Sequence, residues 1–173
     1  MNQNYCMKKI FVVIACLFSY FAHAQYQQDV VSEDAIIKAL YDVISGPSTQ
    51  NRDWDRFRNL FTKEARMMTV AIHKDSGKVV RTITPEQYIE RNGKRLQEIG
   101  FIESELNRIT ESYGAVTHAF STYKSDYTVN GTPMKAQGIN SIQLFNDGKR
   151  FYIVSVYWDG DSKLIMPKKY QGQ

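Results

Sequence analysis

The sequence predicts an α+β fold in which helices pack against one face of a curved antiparallel sheet. In the first half of the chain, apolar residues recur mainly at the three- and four-residue spacing of helices, with one short hairpin among them. From Gly100 onward the pattern becomes extended, and turn signals join four long segments. Helices followed by a run of strands are typical of the α+β class.

The pair of strands at 138–158 is the clearest of these extended segments. Asp147-Gly148 separates two apolar runs and predicts a hairpin turn, because glycine readily adopts the positive φ that such a turn needs. Strict alternation would place apolar side chains on both faces of the second strand: Ile153 and Tyr157 on one, Val156 and Trp158 on the other. Since a strand that is apolar on both faces should be covered on both, we expect helices on one side and a cavity or second subunit on the other.

The first 24 residues have the pattern of a secretory signal peptide. Lys8 and Lys9 precede an apolar run, and the segment AHA at 22–24 is a small-x-small cleavage site. We expect cleavage after Ala24 and export to the periplasm or the cell exterior. A retained N-terminal anchor and a lipoprotein modified at Cys16 are the two alternatives.

The mature chain is predicted to contain one domain at 25–161 and a C-terminal tail at 162–173. Cys6 and Cys16 both lie in the predicted signal peptide, so we expect no disulfide, cysteine nucleophile or cysteine metal ligand in the mature chain. The basic residues are not clustered, which argues against a nucleic-acid partner. No membrane association is expected after cleavage. An aromatic content of 13% indicates a large apolar interior or a ligand cavity.

Three helices are predicted. Ser32 caps the first, which Gly46-Pro47 ends. A second, short helix at 53–61 carries Trp54 on its apolar face, and this tryptophan is either a core residue or part of a pocket wall. The third opens with the capping box at 84–87.

Six strands are predicted around and after these helices. Two form a small hairpin between the second and third helices, at 65–73 and 78–83. The other four follow the third helix in sequence, at 101–113, 115–125, 134–145 and 150–158.

Several segments resemble bacterial members of the nuclear transport factor 2-like (SnoaL-like) superfamily, in an uncharacterised exported branch. They are spread in order over nearly the whole mature chain: 41–47 (YDVISGP), 52–57, 100–105, 119–123 and 138–144. The resemblance implies a cone, in which a bent antiparallel sheet wraps three N-terminal helices around a cavity, and a homodimer formed through the outer sheet face. It does not imply one function, because this fold serves isomerases, dehydratases, cyclases and non-catalytic binding domains. Lys124 departs from the family pattern, where an acidic residue is more usual.

Enzymes of this superfamily place an acid–base residue in the cone, where burial shifts its pKa towards neutrality. The catalytic candidates here are His118 and Glu103, with Glu105 as a neighbour on the same strand face. Seven residues are candidates for ligand binding: Tyr41, Trp54, Ser121, Tyr123, Ser141, Gln143 and Tyr157. Asn140 is a further candidate for orienting a ligand.

Period-two alternation divides these candidates between two faces. His118 falls opposite Ser121 and Tyr123, so the three cannot line one cavity without a bulge. Glu103 and Glu105 are expected to share a face with Asn107. No metal-ligand spacing is present, and we expect neither a metal nor a cofactor.

Three functions remain open at this point. One is a non-catalytic homodimeric domain that binds a small apolar or amphipathic molecule in its cone. Another is a small lyase or isomerase that uses His118 or Glu103 as a general base. The third is a purely structural interaction module in an envelope complex.

Overall fold

The computed structural model describes residues 26–159 and 164–171. The predicted signal peptide, its cleavage after Ala24 and the two alternatives to it lie outside the described residues. So do positions 160–163 and 172–173 around the predicted tail.

Three helices form where the caps and apolar spacing predict them. Helix α1 (Glu33–Ile44) begins after Ser32, whose hydroxyl accepts a hydrogen bond from the backbone of the first turn. Helix α2 (Trp54–Asn59) begins after Asp53, which caps it in the same way. Helix α3 (Pro85–Glu98) opens with a complete capping box between Thr84 and Gln87.

Six strands form one curved sheet. They are β1 (Phe61–His73), β2 (Gly77–Ile83), β3 (Ile102–Tyr113), β4 (Val116–Val129), β5 (Thr132–Asn146) and β6 (Phe151–Asp159). Their order is β2-β1-β6-β5-β4-β3, and every neighbouring pair is antiparallel except β1 and β6, which are parallel. The parallel pair was not predicted, because turn signals identify only strands that follow each other along the chain.

A bulge in β6 overturns the predicted alternation there. Gln143 lies opposite Ser155, but Leu144 lies opposite Ile153, so Val154 is an extra residue without a partner on β5. Ile153 and Val156 consequently face the core together, 0% and 3% exposed. The prediction that they lie on opposite faces was wrong, because a bulge shifts the alternation by one residue.

A second bulge lies in β3. Glu105 pairs with Tyr123, whereas Asn107 pairs with Thr122, which leaves Leu106 unpaired. Glu103 and Glu105 share a face of β3, as expected. The next residue on that face is Arg108 and not Asn107, because Arg108 pairs with Ser121, two residues before the Glu105 partner Tyr123 on β4. An arginine therefore enters the same face as the two carboxyl groups.

The core lies between α1 and the concave side of the sheet. Helix α1 contributes a nearly continuous buried stripe, which includes Ile36, Ile37 and Leu40. We call the face of β3–β6 that meets this stripe the inner face, and the opposite one the outer face. Burial at this interface, rather than helix propensity, accounts for most of the stability of short helices.

Buried Arg52 joins the ends of two helices. Its guanidinium donates to the backbone carbonyls of Ile44, at the end of α1, and of Leu96, in the last turn of α3. It also donates to the carbonyl of Phe101, just before β3. Helix ends leave carbonyl groups without helical partners, and a cation there also complements the helix dipole. Arg52 thereby fixes the position at which the chain enters β3.

Candidate functional site

A cavity of about 280 Å³ lies between α1, α3 and the inner face of the sheet. We call it the cone cavity. Its aromatic lining consists of Tyr88, Phe101, Tyr123, Tyr127 and Trp158. Among the described residues, Glu103 is its one acidic lining residue, and no lysine, arginine or histidine lines it. The described lining is thus mostly apolar and aromatic, with Ser125 and Asn140 as neutral polar residues and one carboxyl group.

Gly138 makes room for one of these walls. It pairs with Tyr123 across the β4–β5 hairpin, and the tyrosine side chain lies over it. A Cβ atom at position 138 would lie 2.5 Å from the Tyr123 hydroxyl oxygen. A larger residue would therefore push the tyrosine ring out of place.

The Glu103 carboxyl group lies in a desolvated environment. Burial raises its pKa to about 8, and a hydrogen bond with Asn140 opposes part of that rise. None of the ion pairs found within residues 26–159 and 164–171 includes Glu103. At neutral pH the group is mostly protonated, so it can donate a hydrogen bond, and above pH 8 it becomes an anion.

Glu105, two residues further along β3, has a different environment. Its carboxylate accepts a hydrogen bond from Ser121 and lies 3.3 Å from the Nε atom of Arg108. Arg108 also pairs with Asp34 at the surface, 2.7 Å away. Cationic and hydroxyl partners stabilise an anion that would otherwise be costly to bury.

A chain of hydrogen bonds connects the two carboxyl environments. Ser121 has one hydroxyl proton, which it donates to Glu105, so its oxygen accepts the proton of Tyr41 at 2.8 Å. The Tyr41 oxygen in turn accepts from the Asn140 amide at 3.1 Å. Burial raises the pKa of Tyr41, which keeps the phenol neutral and able to donate. Because the Asn140 amide nitrogen is the donor in this series of hydrogen bonds, the orientation of the amide beside Glu103 is fixed.

The structure brings together only part of the predicted site. Glu103 and Tyr123 line the cone cavity, and Tyr41 and Ser121 lie buried beside it in the hydrogen-bonded chain. Trp54 does not line it. This tryptophan packs edge-on against Phe57 and lies within 3.1 Å of the position that a Cβ of residue 93 would occupy.

The remaining candidates lie on the outer face. His118 and Ser141 are hydrogen-bonded there, with 3.1 Å between Nε2 and Oγ. Gln143 is the strand partner of His118 on the same face. Ser141 and Tyr157 line a second cavity of about 390 Å³, which we call the outer cavity. The two catalytic candidates, His118 and Glu103, are therefore on opposite sides of the sheet.

The C-terminal segment 164–171 forms part of the outer cavity. Its residues Leu164 to Pro167 lie along the opening, and Phe120 and Ile139 of the sheet lie beneath them. Tyr170 packs on Phe120, with 4.9 Å between ring centroids. The described part of the predicted tail thus lies across the outer face.

Sequence reasoning missed four aromatic residues of the cone cavity: Tyr88, Phe101, Tyr127 and Trp158. Tyr88 lies on the apolar side of α3, and the apolar face of a helix does not by itself distinguish a cavity wall from packed core. Trp158 lines the cavity because of the bulge at Val154, and no pattern in the sequence marks that bulge. Phe101 and Tyr127 could be assigned to the cavity only by knowing that the segments before β3 and at the end of β4 lie side by side, and no local pattern in the sequence shows this.

The described residues contain neither a metal-binding cluster nor a helix that could span a membrane. No group of three or more histidine, cysteine, aspartate or glutamate residues there could hold a metal ion. Within the same part of the chain, no helix is long and apolar enough to cross a membrane.

Comparisons with known proteins identify the fold. No protein-family model matches the sequence. No curated protein matches it. Solved structures do match. A nuclear transport factor 2-like protein with a cystatin-like fold from Novosphingobium aromaticivorans has 10% identity and a TM-score of 0.53, and the match covers 94% of this chain and 92% of that one.

Two further solved structures have similar scores. A ketosteroid isomerase-like protein from Shewanella frigidimarina has 12% identity and a TM-score of 0.52, over 71% of this chain and 90% of that one. A calcium/calmodulin-dependent protein kinase II association domain from Xanthomonas campestris has 14% identity and a TM-score of 0.53, over 77% and 91%. At these identities the likeness concerns the fold alone. The chain has the nuclear transport factor 2-like fold, which confirms the fold that the resemblance implies.

Proposed function

We propose that this chain is an exported domain that binds a small amphipathic molecule in its cone cavity and acts as a homodimer. The observation that carries the proposal is the combination of aromatic walls with one carboxyl group in a cavity whose described lining has no other charged residue. Ligand pockets are typically apolar with a few convergent polar groups, which orient the bound molecule. The volume of about 280 Å³ favours a small ligand.

The proposed homodimer uses the outer face. Val116 and Phe145 are neighbours on β4 and β5, and both are exposed, by 60% and 40%. Val154, the bulged residue of β6, is also 40% exposed. Exposed apolar side chains grouped on one sheet face favour a protein partner. The fold shared with a protein named as an association domain supports the same idea.

Native mass spectrometry of the purified exported protein tests the ligand proposal, because it detects a co-purified small molecule directly. Ala136→Leu fills the cone cavity from β5 and should abolish the bound mass. Gln137→Leu is the matched control, since the next residue of the same strand lines the outer cavity instead. Loss of the bound mass in the control but not in Ala136→Leu would place the ligand outside the cone.

A second candidate function is a lyase or isomerase that uses Glu103 as its general base. The raised pKa of Glu103, to about 8, favours it, because proton transfer is efficient when the pKa lies near the working pH. His118 does not line the cone cavity, since it lies on the outer face and is hydrogen-bonded to Ser141 there.

This alternative is testable without knowing the substrate. Cyclohexanone exchanges its α-protons with D2O when a general base is available, and NMR measures that exchange. A Glu103-dependent reaction should speed up as the pH rises through 8 and should be lost in Glu103→Gln. Exchange that is equal in the two proteins contradicts the enzyme alternative.

A further inference from the structure

The charge inside the cone cavity restricts the class of ligand. Among the described residues, Glu103 is the only acidic residue of its lining, and no basic side chain lines it. An anionic ligand would find no positive group there to offset the loss of its hydration, which disfavours it. The charge of the described lining is therefore compatible with neutral and cationic ligands.

Two other partly buried carboxylates have arginine partners. Asp29 pairs with Arg56 at 2.8 Å, and Glu105 lies 3.3 Å from Arg108. Glu103 has no such partner among residues 26–159 and 164–171, although it lies in a desolvated cavity. Burying a carboxylate without a cationic partner is costly, and a cation supplied by a ligand would offset that cost.

The aromatic walls suit the same kind of ligand. Tyr88 and Tyr123 lie close enough to Glu103 to be influenced by its charge, and burial raises the pKa of both, so their rings remain neutral. Phe101 and Tyr127 form a further pair, with 6.1 Å between ring centroids. Aromatic faces attract ammonium groups, most strongly where water is excluded.

We propose that the cone cavity binds an organic ammonium ion carried on a small apolar body, with Glu103 as its counter-ion and the aromatic side chains around it. This inference rests on the proposed ligand-binding function and names the class of ligand. A neutral molecule that accepts a hydrogen bond from protonated Glu103 is the competing occupant, and the experiment below distinguishes the two.

Ammonium binding would change the protonation of Glu103. On neighbouring elements, Asn140 of β5 bonds the carboxyl, and Tyr41 of α1, Tyr88 of α3 and Tyr123 of β4 lie close enough to be influenced by its charge. Glu105 lies on the same face of β3. The tyrosines stay neutral and Glu105 is already paired with Arg108, so Glu103 is the group that responds. With its pKa at about 8, binding of a cation at pH 7 releases on the order of 0.9 proton.

Isothermal titration calorimetry of the exported protein with three ligands of similar size tests the inference. The probes are 2-phenylethylamine, which is a cation at pH 7, the neutral 2-phenylethanol and the anion phenylacetate. We expect the amine to bind at least about tenfold more tightly than the alcohol and phenylacetate to bind most weakly. Repeating the amine titration in buffers of different ionisation enthalpy should show release of nearly one proton, and the alcohol should release none.

Glu103→Gln provides the matched variant because it keeps the size of the side chain. It should lose the preference for the amine and the proton release, but still bind the alcohol, which also shows that it is folded. If the alcohol binds as tightly as the amine without proton release, the ammonium inference is wrong and the proposed function stands. If none of the three probes binds, both are overturned.

Discussion

The inner and outer faces of the β4–β5 hairpin carry similar polar residues but provide different chemistry. Adjacent residues show this directly: Asn140 points inward and bonds Tyr41, whereas Ser141 points outward and bonds His118. The inner residue is 7% exposed and belongs to a buried network, while the outer pair is only partly buried. A polar side chain is thus a candidate for ligand chemistry here because of what surrounds it, and not because of its type.

The carboxyl groups show what the inner environment does. Glu103 and Glu105 have the same side chain on the same face of one strand, yet within the described residues only Glu105 has a cationic partner. The unpaired carboxyl beside the aromatic walls is the one whose pKa rises to about 8. The following predictions test this difference between environments, from the largest expected effect to the smallest.

The largest effect is expected from Glu103→Gln at alkaline pH. The unfolded chain loses the Glu103 proton above about pH 4.5, whereas the folded protein keeps it up to about pH 8 because burial raises the pKa. The free energy of unfolding therefore falls as the pH rises from about 4.5 to about 8. Gln has no proton to lose, and the variant should be more stable than the wild type by about 2–4 kcal/mol at pH 8.5 and nearly equal to it at pH 4. Urea unfolding at the two pH values measures the difference.

Glu105→Gln is the control for that experiment. It removes the pairing with Arg108 and weakens the acceptor of Ser121, so it should destabilise the protein at neutral pH. If Glu103→Gln destabilised the protein at pH 8.5 as much as Glu105→Gln does, the assignment of Glu103 as a carboxyl group without a cationic partner and with a raised pKa would be wrong.

Removing one hydroxyl from each face should have unequal effects. Ser121→Ala leaves the Tyr41 proton without its acceptor and deprives Glu105 of a donor in a fully buried position, which should cost about 2–3 kcal/mol. Ser141→Ala removes one bond to the partly buried His118 and should cost less than about 1 kcal/mol. Denaturant unfolding of both variants measures the two costs. Equal costs would mean that the inner network is not distinct from the outer pair.

The outer face should govern self-association, with little effect on folding. Phe145→Lys places a charge among exposed apolar side chains next to Val116, and it should convert the proposed dimer into a monomer. Ile72→Lys is the control, since it places the same charge at a more exposed apolar residue away from the outer face, on the β1–β2 hairpin. Light scattering measures the molar mass, and a monomeric wild-type protein at micromolar concentration would contradict the dimer proposal.

The sequence was sufficient for the helices and for the positions of the strands along the chain, because caps, turn residues and apolar spacing are local signals. Ser32, Thr84 and Asp147-Gly148 each specify a boundary that the structure contains. The fold class followed from the separation of helices and strands, and the resemblance of segments such as 41–47 gave the family of folds.

The site was only partly predictable, because bulges and long-range contacts decide it. Val154 and Leu106 each shift the alternation of a strand by one residue, and neither position has a glycine or another signal that marks a bulge. Glu103 was identified as a candidate, but its isolation from cations depends on Arg108 turning towards Glu105. The gathering of Tyr88, Tyr127 and Trp158 around it requires the assembled sheet.

The most direct test of the account is a carbon-13 NMR titration of the Glu103 carboxyl group, assigned by comparison with Glu103→Gln. The account predicts a midpoint near pH 8 in the free protein, because the carboxyl lies in the cone cavity without a cationic partner. A midpoint between pH 4 and 5, the ordinary range of a solvated glutamate, would contradict it.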